Sequence, residues 1–376
     1  MIRFNQPYKV NKFLLEETDV LDKFQFDTGG QNTIKCTELI TNALTSKAVY
    51  LTTSATSALE ICANVLKIEG EDEILAPSLT FVTSISPFIT LGARVRFIDV
   101  DEQDLNVNVS SYIDAVTSKT KVIIAVNYGG GGKDLKELRK FCDQRGIILV
   151  EDAAQSYGSM GFEQRFGTYG HLSVFSFHYT KNIHCGEGGA LIVNDPRFVE
   201  DCDIIFEKGT NRKNFLDGVV DKYTWVRLGS SHALSELNAA FLLPQLISEV
   251  EITQKRLEIW QQYAAFCDDL SLRYMKFNKE CSHNGHNFSI FVNRQGLRSE
   301  VIDEFRTNNI QVSFHYVPLH SSPAGKKYGK TFCGMKNTIE AGYNQLRLPI
   351  HNYITEDQIR KVCKVIYKMK HNFQIG

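Results

Sequence analysis

FSFHYTKNIHCGEGGALIVND, residues 175–195, places one lysine, Lys181, between an alternating aromatic run and a cluster of glycines. Phe175, Phe177 and Tyr179 recur at the two-residue period of a strand. Gly186, Gly188 and Gly189 then permit a tight turn into a second strand-like run, ALIV. An amine held among aromatic rings is desolvated, and desolvation favours its neutral, nucleophilic form. The stretch therefore predicts a reactive lysine at the rim of a sheet.

Outward from this unit, short apolar runs alternate with amphipathic stretches such as TSALEICANVLKI and KDLKELRKFCDQR. The runs are AVYLT (48–52), EILAP (73–77), RVRFIDV (94–100), KVIIAVNY (121–128), GIILVED (146–152), LSVFSF (172–177) and GALIVN (189–194). Such alternation predicts an α/β fold with a largely parallel sheet covered on both faces, and the near-continuous Val, Ile and Leu agree. Past Arg227 the chain reads as long helix interrupted at Pro244. A strand over 286–293, a helix over 299–309, a strand over 310–316 and a closing helix from Glu356 follow. We place a boundary near residue 246, between a large unit, 1–245, and a smaller C-terminal α/β unit, 246–376. Length favours two units, since single cores rarely grow past roughly 250–300 residues.

A hydrophobic content of 43% and a charged content of 23% are those of a soluble globular protein. The net charge of −1 gives no reason to expect a nucleic-acid or membrane-surface partner. No apolar run approaches the ~20 residues that span a bilayer, and the opening stretch MIRFNQPYKVNKFLLEETDV lacks a signal-peptide core. Nine dispersed cysteines without a CxxC pair fit a reducing cytoplasm. CSHNGHN, with Cys281, His283 and His286, is the one metal-like cluster; it reads as a solvated loop, and no metal is expected.

In parallel sheets, ligands bind at the carboxyl ends of the strands. GIILV runs into Glu151-Asp152-Ala153-Ala154-Gln155, where Asp152 reads either as a helix cap or as an acid at the rim. VYLT ends in TTSATSALE, which is either an ordinary helix start or a phosphate seat. PSLTF brings Phe81 to the same rim, as core or as a ligand contact. YGGGGKD (128–134) fits neither the dinucleotide fingerprint nor the P-loop and reads as a flexible connection. Together, a phosphate seat, an acid, a flat aromatic and Lys181 suit pyridoxal 5′-phosphate. That cofactor needs a lysine for its Schiff base and an anion facing its ring nitrogen.

The ordered blocks IRFNQP, SATSALE, PSLTFVTS, EDAAQSYG, TYGHLSVFSFHYTKN, GEGGALIVND, ELNAA and HYVPLH resemble the DegT/DnrJ/EryC1/StrS sugar-nucleotide aminotransferases. The resemblance spans almost the whole chain and implies the aspartate aminotransferase-like fold (fold type I). It implies that Lys181 binds the cofactor covalently and shuttles a proton, that Asp152 pairs with the ring nitrogen, and that Gln155 contacts the phenolic oxygen. Phe81 would stack on the ring, while Ala55, Thr56 and Ser176 would hold the phosphate. Ser231 stands where relatives complete that site with an asparagine from a partner subunit. Asn127, where relatives tend to carry histidine, and Ser-Ala-Thr for the commoner Ser-Gly-Thr are further departures. His178, Lys208, Arg212, Tyr316 and His320 are candidates for substrate contact.

The implied activity is transfer of an amine from L-glutamate to a nucleotide-linked 4-keto-6-deoxy sugar, with dTDP favoured and pyridoxamine phosphate as the carrier form. A cytoplasmic homodimer with shared sites, serving bacterial surface polysaccharide such as O-antigen, goes with it. A 3-keto sugar aminotransferase of the same family is the nearest alternative. A non-catalytic cofactor- or sugar-nucleotide-binding regulator would have no need of the Schiff-base lysine, and a nicotinamide oxidoreductase would need a glycine fingerprint that is absent.

Overall fold

The computed structural model describes residues 1–9 and 29–373, and its first half forms the predicted sheet. The strands are β1 (Ala48–Thr52), β2 (Glu73–Pro77), β3 (Arg94–Ile98), β4 (Thr120–Val126), β5 (Ile148–Asp152), β6 (Leu172–Ser176) and β7 (Gly189–Val193). They lie in the order β1, β7, β6, β5, β4, β2, β3. Within this sheet β7 alone runs against its neighbours. The connection over 177–188 contains no helix and folds back directly beside β6, whereas a parallel return usually crosses over through one.

Successive strand residues feed two cores. Ile74, Val122, Ile124 and Val150 pack with Ala58, Ile61 and Cys62 of helix α1 (Ala55–Val65) on one face. Leu75, Ile123 and Leu149 pack with Leu138 and Cys142 of α2 (Lys136–Arg145) on the other. Each fully buried large side chain contributes about 1.5–3 kcal/mol, so burial on both faces explains why the strands read as continuous apolar runs.

The long helical stretch divides into α3 (Glu236–Ile247) and α4 (Glu249–Asp269). The expected interruption at Pro244 is displaced: that proline stays inside α3, near its C-terminal end, and forgoes the bond its N–H would have made to the preceding turn. The chain turns instead at Ser248, and Glu249 pairs with Arg165 at 2.8 Å. Beyond a two-residue strand, Cys281–Ser282, come β8 (Phe288–Phe291), β9 (Gly329–Thr331) and β10 (Gln345–Leu348). β9 joins the first half's sheet in parallel beside β3, and β8 pairs antiparallel with β10.

The stretch 310–316, expected as a strand, makes only the isolated bridges Ile310 to Ile2 and Ser313 to Arg347. It is held between the N-terminal residues and β10 and then bends inward with His315 and Tyr316. In β10 the side chains alternate. Leu346 and Leu348 enter a separate core of the second half with Phe288, Ile290 and Val362 of α5 (Glu356–Lys368), while Gln345 and Arg347 face the first half. Among the described residues, no helix is long and apolar enough to cross a membrane.

Candidate active site

A cavity of about 420 Å³ opens where the carboxyl ends of the strands meet the second half of the chain. Lys181, Asp152, Gln155, Ser176, Ala55, Thr56 and Phe81 all line it, together with His178 and Tyr316.

The two acids that end β5 point to opposite faces and have different fates. Glu151 is fully buried and accepts from the backbone N–H groups of Gly167 (2.7 Å), Tyr169 (2.9 Å) and Gly170 (3.1 Å). Asn127 Nδ2, at 2.7 Å, donates to it as well, which gives that departure a structural role. Asp152 faces the cavity. Its Oδ2 accepts from Ser84 Oγ at 2.6 Å and its Oδ1 from the Ala154 N–H at 3.1 Å, so rim acid and turn cap are realised together. Burial pushes the Asp152 carboxyl up, while Ser84, the Ala154 N–H and the charge of Lys181 pull it down. Ser84 escaped the sequence reading; the hydroxyls of Thr80-Phe81-Val82-Thr83-Ser84 were its only signal, and Thr80 Oγ1 lies 2.8 Å from Ser84 Oγ.

Lys181 sits in the turn between β6 and β7. The turn is pinned by Phe177 N–H to Gly188 O (2.8 Å), Tyr179 N–H to Gly186 O (2.7 Å) and Lys181 N–H to His178 O (2.8 Å). The aromatic residues do not enclose the amine as expected. Phe175 and Phe177 are buried in the core edge-on to Tyr157, at 5.1 and 5.5 Å, and Tyr179 is exposed. The covering wall comes from the second half: Arg256, His286, His315, Tyr316, Arg347 and Ile350. Burial brings Lys181 down to about 8, opposed by the negative charge of Asp152 and reinforced by Arg347.

At the anion seat, Ser54 Oγ caps α1 by accepting from the Ser57 N–H at 3.0 Å. The N–H groups of Ala55 and Thr56 open the helix and have no acceptor within it. Ser176, from β6, lines the same end of the cavity. A Cβ on Gly189 would collide with Ser54 C and Ala55 N, so this glycine is required for β7 to lie against the seat. Phe81 is about half exposed and stands 6.0 Å, ring to ring, from Tyr316. Gln155 is held by the Gly129 N–H, which donates to its Oε1 at 2.8 Å.

Several expectations are corrected. The glycine run 129–132 is buried, not flexible, because bare backbone admits Met275, Phe277 and Asn284 against it. CSHNGHN is largely enclosed: His283 packs on Trp260 and Phe277, while Asn284, His286 and Asn287 are buried. No cluster able to hold a metal occurs among the described residues. His320 does not line the cavity; its Nδ1 lies 2.7 Å from Ser78 Oγ, an anchor for the bend that carries Tyr316. Lys208, Arg212 and Ser231 are exposed and lie outside the cavity of their own chain, with Arg212 3.6 Å from Glu207.

Arg347 is the residue most plainly missed. It is buried in the cavity wall with its guanidinium over the Phe4 ring at 4.9 Å. Its Nη1 lies 2.6 Å from a ring nitrogen of His315, its Nε has no hydrogen-bond partner, and no carboxylate pairs with it among the described residues. Burial and the charges of Arg347 and Lys181 push His315 down to about 2, so the imidazole is a neutral acceptor. The alternation of arginine with leucine in QLRL was the only sequence signal.

This sheet, with a depressed lysine beside a carboxylate and an anion seat at a helix N-terminus, defines a pyridoxal phosphate-dependent aminotransferase. The donor set fits the cofactor: amine, carboxylate and phosphate seat occupy one cavity. The chain belongs to the DegT/DnrJ/EryC1/StrS aminotransferase family, whose model matches residues 8–367. It is 27% identical to the GDP-perosamine synthase of Vibrio cholerae, over 83% of this chain and 84% of that protein. It is 26% identical to the dTDP-4-dehydro-2,3,6-trideoxy-D-glucose 4-aminotransferase of Saccharopolyspora spinosa, over 85% and 84%. Its fold matches Spr1654 of Streptococcus pneumoniae, described as a sugar aminotransferase and solved in pyridoxamine phosphate and pyridoxal phosphate forms. The pyridoxamine form superposes with a TM-score of 0.89 at 22% identity, over 98% of both chains.

Proposed function

We propose that the chain transfers an amine from L-glutamate to a nucleotide-linked 4-keto-6-deoxy sugar, with dTDP-4-keto-6-deoxyglucose as acceptor, in the cytoplasmic synthesis of a bacterial surface polysaccharide. When bound, pyridoxal phosphate supplies an aldehyde for a lysine and a ring that takes up the electron pair released with the donor's α-proton. Lys181 Nζ takes that proton and returns it. With the cofactor in this cavity, Asp152 would keep a proton on the ring nitrogen, Gln155 and Phe81 would contact the ring, and Ala55, Thr56 and Ser176 would hold the phosphate.

The observation that carries the donor half is Arg347. A buried, unpaired guanidinium is costly unless a carboxylate arrives to meet it, and an amino acid brings one. Losing one partner of a buried, hydrogen-bonded charge pair costs about 2–5 kcal/mol. Arg347→Gln is accordingly expected to raise the KM for glutamate about 100-fold while cofactor occupancy stays full. An unchanged KM removes Arg347 from donor binding.

Support for the acceptor comes from the stretches EKGTNR (207–212), DKYTW (221–225), LGSS (228–231) and FHYVPLH (314–320), which resemble a dTDP-4-amino-4,6-dideoxygalactose transaminase. One curated relative is named for amination at C4 of a dTDP-sugar. Incubation with dTDP-4-keto-6-deoxyglucose and glutamate, followed by NMR of the product's ring couplings, tests the reading; no C4-aminated product sinks it.

The segment 208–231 leaves Leu216, Val219, Trp225 and Leu228 more than 60% exposed, an apolar surface suited to a second copy. In such a homodimer Lys208, Arg212 or Ser231 would serve the partner's cavity. Sedimentation of the cofactor-loaded protein as a monomer at micromolar concentration removes this arrangement.

The depressed amine sets a pH signature. A cation whose pKa is lowered to about 8 is free amine above that pH and about nine-tenths protonated at pH 7. Covalent capture of pyridoxal phosphate by the cofactor-free protein should quicken about tenfold per pH unit below 8 and level off above it. An unperturbed lysine would keep accelerating towards pH ~10.4, which is the contrary result.

A further inference from the structure

The turn Asn284-Gly285-His286 reaches from the second half into the ground beneath the cavity, and nearly every polar group on it is committed. The Asn284 N–H donates to Gly130 O at 3.2 Å. Its Nδ2 donates to Gln155 O and Tyr157 O, both at 2.9 Å, and its Oδ1 accepts from the His286 N–H at 3.0 Å. Its carbonyl accepts from Asn182 Nδ2 at 2.9 Å. Arg256 closes the turn from behind, donating to Gly285 O at 3.1 Å and His286 O at 3.0 Å. Asn284 is 1% exposed, and a Cβ on Gly130, where φ is +96°, would collide with its Oδ1. One residue thus ties three segments together: its side chain bonds the Gln155 turn after β5, its backbone N–H the glycine turn after β4, and its backbone carbonyl the residue that follows Lys181.

The same bonds decide a tautomer. A carbonyl only accepts, so Asn182 must present its NH₂ to Asn284 O and its Oδ1 to His286 Nδ1, 3.2 Å away. His286 Nδ1 therefore carries the proton, and Nε2 is left as a lone pair on a ring that lines the cavity. Burial and the charges of Lys181, Arg347 and Arg256 hold this imidazole neutral.

We propose that Asn284 is a positioning residue for amino transfer: it sets the Lys181 turn against the Gln155 turn and, through Asn182, presents His286 Nε2 to the cavity as a fixed acceptor. The proposal rests on the aminotransferase activity of the fold and family. Displacement of a reacting group by about 1 Å costs on the order of 100-fold in rate. The expected effect is therefore a donor half-reaction about 100-fold slower in the Asn284→Ala holoenzyme, measured in single turnovers with glutamate alone, at unchanged cofactor stoichiometry. Asn182→Ala, which removes two of the bonds and leaves the rest of the turn intact, should slow it about tenfold.

Imidazole ¹⁵N NMR supplies a readout that does not depend on activity. In cofactor-free wild type, His286 should show the Nδ1–H tautomer with no titration between pH 5.5 and 9, and Asn182→Ala should lose that single tautomer. Rates within twofold of wild type in the variants, even with a lowered Tm, would make the turn a purely structural knot and overturn the proposal. An Nε2–H signal in the wild type overturns it as well. If Asn284→Ala does not fold, Asn182→Ala and the wild-type spectrum decide. Failure of the wild type itself to react with glutamate would strike the donor assignment instead, leaving the tautomer test standing.

Discussion

Lys181→Ala is expected to turn over at least about 10⁴-fold more slowly than wild type, because it removes the covalent attachment point and the proton carrier together. General acid–base transfer alone contributes about 10²–10⁴-fold. The proposed anion seat, Ser54, Ala55 and Thr56 at the start of α1 and Ser176 on β6, belongs to elements formed without the Lys181 side chain. The variant should therefore still bind pyridoxal phosphate, but dialysably. Borohydride should trap a label at position 181 in the wild type and none in the variant. Turnover near the wild-type rate removes Lys181 from the chemistry.

Asp152→Asn is expected to cost about 1,000-fold in the donor half-reaction, the scale of losing one preorganised electrostatic group aimed at the reacting centre. The amide keeps the volume of the carboxylate and can still accept from Ser84, so the fold should survive. What would be lost, on the proposed assignment, is the charge that keeps a proton on the ring nitrogen. A second readout follows from the lysine. The charge of Asp152 raises the Lys181 pKa against burial, so its removal should move the capture midpoint below about 8. Unchanged single-turnover kinetics together with an unmoved midpoint would end this assignment.

The two predictions draw on Asp152, at the end of β5, and Lys181, in the turn after β6, and both residues stand out in the chain. Strand period, the acid after GIILV, the hydroxyl-rich helix start and the glycines after Lys181 are local patterns; each is written by neighbours in sequence. The seven strands of the first half appeared for the same reason, because burial on both faces demands continuous apolar runs. The reading faltered where local pattern is ambiguous. The antiparallel return of β7 depends on how short a turn is once folded, and the glycine run after β4 looked loose because its partners, Met275, Phe277 and Asn284, stand about 150 residues away.

What encloses the lysine shows the limit best. The sequence suggested its aromatic neighbours, yet Phe175 and Phe177 point into the core and the desolvating wall is drawn from residues 256–350. Arg347, His286 and Asn284 carry no motif of their own that would set them apart from a solvated arginine or a polar loop. By itself the chain determined the sheet and singled out Lys181, Asp152 and the hydroxyl-rich start of α1 as candidates at one rim, because these arise from short-range periodicity and turn chemistry. Only the tertiary structure decided which distant side chains line the cavity, because burial is a property of packing between elements and has no local spelling.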